Sequence, residues 1–144
     1  MIRHANKFDK PAIIEMMLEF CAESGIEQYQ GIDNLPYWNR LLDAMLAGVG
    51  VIFYDEGKGL LMALVTPTIW CDKTFQMQEI AWYVRPEWRK STVGYRLFDA
   101  YLKHGKQLKA EGRIKMFSVS KLPTTPDLKY DKFGFRKLDE NWMQ

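Results

Sequence analysis

The sequence predicts a single α/β domain whose central sheet is mixed, mostly antiparallel and flanked by helices. Three observations carry that expectation. Apolar residues recur at helical spacing before Gly48, run as strands from Val51 to Val84, and return to helical spacing from Ser91 to Ala110. The strand runs are separated by short turns, which is the pattern of an antiparallel meander. The long helix then lies between two strands, as a crossover connection does. At 144 residues the chain has the usual size of one domain and can bury a real core.

Each element follows from local chemistry. Ile2-Arg3-His4 forms an opening strand. Asp9 is an N-cap candidate with Pro11 in the first turn, and Ile13, Ile14, Met17, Leu18 and Cys21 follow on one helix face. Ser24-Gly25 stops that helix. Asp33 or Asn34 caps a second one, with Trp38, Leu41, Leu42 and Met45 on its apolar face, and Gly48 and Gly50 end it. Val51–Tyr54, Leu60–Trp70 and Phe75–Val84 are strands, joined by Asp55–Gly59 and by a turn over Cys71–Thr74. A helix over Ser91–Ala110 presents Gly94, Leu97, Phe98, Tyr101, Gly105 and Leu108 inward, and Gly112 terminates it. Lys115–Ser120 is a strand, Leu122–Pro126 a loop, and Asp127–Phe133 a short helix stopped by Gly134. Phe135–Leu138 is a further strand, and Asn141–Met143 offers a last one.

Composition excludes several classes. Hydrophobic residues make up 47% and charged residues 26%, a globular balance. No apolar run approaches the roughly 18 residues a membrane helix needs, and the N-terminus lacks a signal-peptide core, so a cytoplasmic protein is expected. Cys21 and Cys71 form no ligand pair, and His4 and His104 are isolated surface candidates, so no metal is expected. Residues 1–84 hold 6 basic and 11 acidic side chains, whereas residues 85–115 hold 9 basic and 3 acidic. Such a local basic island suits a small polyphosphate better than a nucleic-acid track, which the acidic first half repels.

The island centres on Val84 to Leu97. There a strand ends at Pro86, a basic turn follows, and a helix begins near Ser91 or Thr92. The first amides of a helix lack internal acceptors and sit at the positive end of its dipole, a ready phosphate site. Arg89 and Lys90 add full charge at its mouth, and Gly94 permits close approach of a ligand to the backbone. A capped helix after a proline-bearing turn accounts for the same residues equally well.

This segment resembles the acyl-CoA-binding motif of the GNAT N-acetyltransferase superfamily, a strand ending V-x-P followed by [Q/R]-x-x-G-x-[G/A]. Val84-x-Pro86, Arg89 and Gly94 match, and Thr92 stands where the first glycine is expected. The element order matches over almost the whole chain. Tyr130-Asp131-Lys132-Phe133-Gly134-Phe135 also has the Y-x-x-x-G-F spacing found late in many such proteins.

The resemblance implies acetyl-CoA as co-substrate, held by the motif residues Arg89, Lys90, Ser91, Thr92, Val93, Gly94 and Tyr95 and by the strand backbone at Trp82, Tyr83 and Val84. It implies an amine acceptor, direct attack on the thioester, and Tyr130 as the acid that protonates the departing thiolate. Tyr130 also reads simply as an amphipathic helix residue, with Gly134 as its C-cap. Glu79 is the base candidate. Strict strand alternation groups it with Phe75, Met77, Ala81 and Tyr83, and a carboxylate buried among them would have a raised pKa. Pairing with a surface lysine is its other reading. The acceptor pocket is expected around Glu23–Trp38 and Lys121–Lys129, with Tyr29, Tyr37 and Trp38 as wall candidates. A homodimer is compatible with the resemblance. The alternative function is a catalytically weak acyl-CoA-binding or protein-interaction module of the same fold.

Overall fold

The computed structural model describes every residue of 1–144 except Ile32, Thr124 and Asp127. Asp127, the expected start of the last short helix, and Thr124 of the loop before it therefore lie outside the described residues. The elements are β1 (Arg3–His4), α1 (Lys10–Glu23), α2 (Leu35–Ala44), β2 (Gly50–Asp55), β3 (Gly59–Thr68), β4 (Cys71–Val84), α3 (Val93–Ala110) and β5 (Met116–Ser118).

The sheet runs β1-β2-β3-β4-β5 in space. The first four strands are antiparallel neighbours, and β5 joins β4 in parallel through only Gln76–Met116, Met77–Phe117 and Gln78–Ser118. Helix α3 supplies the crossover that a parallel pair requires. It covers one face with Val93, Leu97, Phe98, Tyr101 and Leu108, packed on Phe53, Leu61, Ala63 and Met77. The opposite face packs Ile52, Leu60 and Met62 against Ile13 and Met16 of α1 and Leu42 of α2. The expected mixed sheet between helices is present. Helix α3 lies so close to β5 that a Cβ on Gly105 would meet the Phe117 ring at 2.6 Å.

Asn34 caps α2 as expected, accepting from the Tyr37 N–H at 3.1 Å. Asp9 does not cap α1 with its side chain. The Arg3 guanidinium, brought over by β1, grips both Asp9 oxygens at 2.7 and 2.8 Å, and the carboxylate closes the preceding turn by accepting the Asn6 N–H at 2.8 Å. A two-toothed charged pair outweighs a single cap.

Several boundaries differ from the sequence reading. The β3–β4 turn is at Ile69-Trp70 and not over Cys71–Thr74, because β4 already begins at Cys71 paired with Thr68. Among the described residues the last helix is a 3-10 turn, Tyr130–Phe133, closed by Gly134 at φ 90°. No strand follows β5 among the described residues, although Phe135–Leu138 and Asn141–Met143 carry strand-like patterns. Phe135 is drawn into aromatic packing against Phe98 and Phe117. Beyond it Leu138 and Trp142 are 77% and 86% exposed, so no burial rewards extending the sheet.

Candidate functional site

Strand β4 is out of phase with itself. Its register against β3 steps from Ala63–Glu79 to Met62–Ala81, leaving Ile80 as an unpaired bulge. Met77 and Glu79 before the bulge therefore share the α3 face with Trp82 and Val84 after it, while Ala81 and Tyr83 turn toward α1 and α2. This corrects the strict alternation that grouped Glu79 with Ala81 and Tyr83. A bulge leaves no mark in residue composition.

Past Gln78 and Ser118 the strands β4 and β5 part. Glu79 stands at that fork, 7% exposed, and accepts the Ser120 N–H at 3.0 Å. Burial pushes its pKa up to about 7, and the Ser120 hydrogen bond only partly opposes this. Of its two readings, a buried carboxyl group is the one observed; no surface lysine pairs with it among the described residues. Beyond the fork the main chain of β4 has an open edge. The Arg85 N–H donates to Lys58 O on the β3 side, and Arg89 Nε donates to Val84 O from the other side at 2.8 Å. Ladder parity thus turns the N–H and C=O of Trp82 and Val84 away from β3.

A cleft of about 420 Å³ opens along this edge. Trp82, Tyr83 and Val84 form one wall, and Ser91, Gly94 and Tyr95, at the start of α3, form its end. Phe20 and Glu23 of α1, Ser24 just after it, and Thr125, Pro126 and Leu128 complete the lining with Arg89. Two features carried by neighbouring segments of the chain thus meet in one cavity: an unpaired strand edge and a helix N-terminus.

At that terminus the Ser91 hydroxyl takes the Val93 N–H at 3.3 Å, and no side-chain cap comes from Thr92. The next first-turn amides have no intrahelical acceptor. Thr92 has φ −86°, an ordinary value, so this turn does not need the backbone freedom of the glycine expected there. Val93 faces the core and is 1% exposed, whereas Lys90 and Thr92 are exposed beside the cleft without lining it. A Cβ on Gly94 would meet only Val84 Cγ2, at 3.6 Å, so packing alone does not demand glycine.

Arg89 is engaged. Its guanidinium bonds Glu23 at 2.7 Å and lies 5.7 Å from the centre of the Tyr83 ring. Tyr83 donates its hydroxyl to Glu19 at 3.0 Å, and burial together with that carboxylate pushes its phenol up to about 12. Any anion entering the cleft competes with Glu23 for Arg89. If the cleft takes the acetyl-CoA that the sequence resemblance implies, Glu23→Gln is expected to tighten its binding about threefold to tenfold, read by calorimetry at low salt. Unchanged affinity would mean that Arg89 does not meet the ligand.

Tyr130 lies behind the cleft wall. Its ring packs edge-on to Phe98 at 5.8 Å, and its hydroxyl donates to Pro126 O at 2.9 Å. Neither Glu79 nor Tyr130 is on the lining of the cleft. Tyr29 and Tyr37, expected as pocket walls, are 44% and 51% exposed, and Trp38 packs on the α1–α2 core. Phe20 was missed, because a partly buried aromatic on an amphipathic helix looks like any core residue. The Glu23–Arg89 pair joins residues 66 apart and leaves no local signal.

No protein-family model matches the chain, and no curated protein matches it by sequence. Solved structures do match. A predicted acetyltransferase from Clostridium acetobutylicum, crystallised with acetyl-CoA, superposes with a TM-score of 0.75 at 18% identity over 100% of this chain and 94% of that one. Glucosamine-6-phosphate N-acetyltransferase from Arabidopsis thaliana gives 0.68 at 13% identity, over 100% and 96%. An aminoglycoside acetyltransferase from an uncultured soil metagenomic sample gives 0.68 at 16%, over 100% and 95%. At such identities the likeness is one of architecture, and the chain has the fold of the GNAT acetyltransferases.

Proposed function

We propose that the chain, as one domain over 1–144, transfers an acetyl or other short acyl group from acetyl-CoA to a primary amine on a small molecule or protein in the cytoplasm. The observation that carries this reading is the single cleft joining the open β4 edge at Trp82 and Val84 to the N-terminus of α3. A strand edge offers hydrogen bonds to an extended amide-bearing arm, and a helix start offers amides to a pyrophosphate. Acetyl-CoA carries both chemistries on one molecule.

In this reading the amine nitrogen attacks the thioester carbon, and β4 main-chain amides hold the developing oxyanion. The carbon–sulfur bond breaks, and Tyr130 gives its proton to the thiolate after leaving Pro126 O. Glu79 takes the ammonium proton through water, since it sits at the fork behind the cleft surface. No group of three or more His, Cys, Asp or Glu is placed to hold a metal among the described residues. No helix among them is long and apolar enough to cross a membrane.

The engagement of Tyr130 with Pro126 and of Arg89 with Glu23 favours one second reading, a module that binds acyl-CoA without turning it over. Calorimetric titration with acetyl-CoA tests binding, and thiol release with a panel of amines separates the readings. Arg89→Ala with Lys90→Ala is expected to weaken binding at least tenfold. Absence of heat with the unaltered protein would end both readings.

A further inference from the structure

Trp82 carries the one buried side-chain polar atom that lacks a hydrogen-bond partner among the described residues, its indole Nε1. A buried indole N–H ordinarily finds an acceptor, and one left bare destabilises the fold that holds it. The ring is 8% exposed, lines the cleft, and stacks on Phe98 with centroids 5.7 Å apart and planes 21° from parallel. That stacking and its place on the α3 face fix the ring without using its polar edge. The Tyr130 hydroxyl donates to Pro126 O, and Glu79 accepts from Ser120. The unpaired donor thus sits on the residue whose main chain also forms the open β4 edge.

We propose that Trp82 Nε1–H is a binding donor for a carbonyl oxygen of the acyl-pantetheine arm, so that one residue addresses the ligand through both its main chain and its side chain. This rests on the acyl-CoA reading above. The chemistry recognised is an amide or thioester carbonyl. The nitrogen presents no surface to water in the ligand-free cleft, so the arm reaches it by displacing the side chains around it. The energetic sense is that of a donor kept unsatisfied until ligand arrives.

The test is the Trp82 indole N–H resonance of the full chain, assigned among its five tryptophans by loss in Trp82→Phe. Saturating acetyl-CoA is expected to move it downfield, as formation of a hydrogen bond does. Movement with both CoA and acetyl-CoA assigns a pantetheine amide as acceptor; movement with acetyl-CoA alone assigns the thioester. Trp82→Phe is further expected to raise the Kd for acetyl-CoA roughly threefold to tenfold, because the donor is gone. A purely structural Trp82 would lower Tm through lost packing and leave Kd unmoved. Calorimetric heat with an unmoved indole resonance in the unaltered protein overturns the inference alone. Absence of heat removes the acyl-CoA reading and this inference with it.

Discussion

Glu79→Gln is expected to lower turnover about 100-fold above neutral pH while making the protein more stable there. The two effects have opposite signs because they come from the same buried proton. Glu79 has a folded-state pKa of about 7 against an ordinary value of 4.5, the cause being burial at the β4–β5 fork. The folded state therefore holds this proton more tightly than the unfolded chain does. Its stabilising contribution is full below pH 4.5, is lost as pH rises toward 7, and above that leaves a penalty of about 3 kcal/mol at most. Glutamine mimics the protonated carboxyl and keeps an oxygen for the Ser120 N–H. Urea denaturation is expected to show a gain of about 1–3 kcal/mol at pH 8 and less than about 1 kcal/mol at pH 5. Under the proposed mechanism, turnover by the unaltered protein should rise through pH 7 as Glu79 loses its proton, and that limb should vanish in the variant. Equal destabilisation at both pH values would assign Glu79 a structural role only.

Tyr130→Phe is expected to cost about 100-fold in kcat with little change in acetyl-CoA affinity. In the ligand-free protein the Tyr130 phenol is tied to Pro126 O at 2.9 Å, and Pro126 lines the cleft. Phenylalanine retains the edge-on contact with Phe98 and the packing on Phe135. Loss of the Pro126 bond should remove no more than about 1 kcal/mol of stability. An acyl donor whose thiol is already acidic does not need protonation on departure. Such a donor should restore most of the rate to Tyr130→Phe if the missing function is that proton, and none of it if the variant merely misplaces the wall.

Much of this geometry was legible in the chain, for reasons specific to each part. The cradle at Arg89–Tyr95 is local: a proline-terminated strand and a helix start are set by neighbours in sequence, and the cleft does end at Ser91, Gly94 and Tyr95. The sheet was legible because alternation and turn residues are local too. What could not be read were events between distant segments. The Ile80 bulge depends on how β3 meets β4, and it overturned the face assigned to Ala81 and Tyr83. The Arg89–Glu23 pair depends on α1 passing beside the turn after β4. The strands expected after Gly134 failed because alternation states only that a segment is able to pair, while pairing requires an edge to receive it. β5, three residues long, offers little.

The Ile80 bulge also stores the site in an unusual quantity. Two residues separate Glu79 from Trp82, and regular alternation would set them on opposite faces; the unpaired Ile80 is what turns both toward the same helix. Deleting Ile80 would leave a regular ladder with Trp82 and Val84 still facing α3. Pairing Ile80 without removing a residue would instead exchange the two faces of everything downstream, carrying Trp82 and Val84 to α1 and bringing Tyr83 to α3. Within this short stretch each face depends on how many residues are paired, not on how many are present. The chemistry of the cleft is, to that extent, arithmetic held in the backbone.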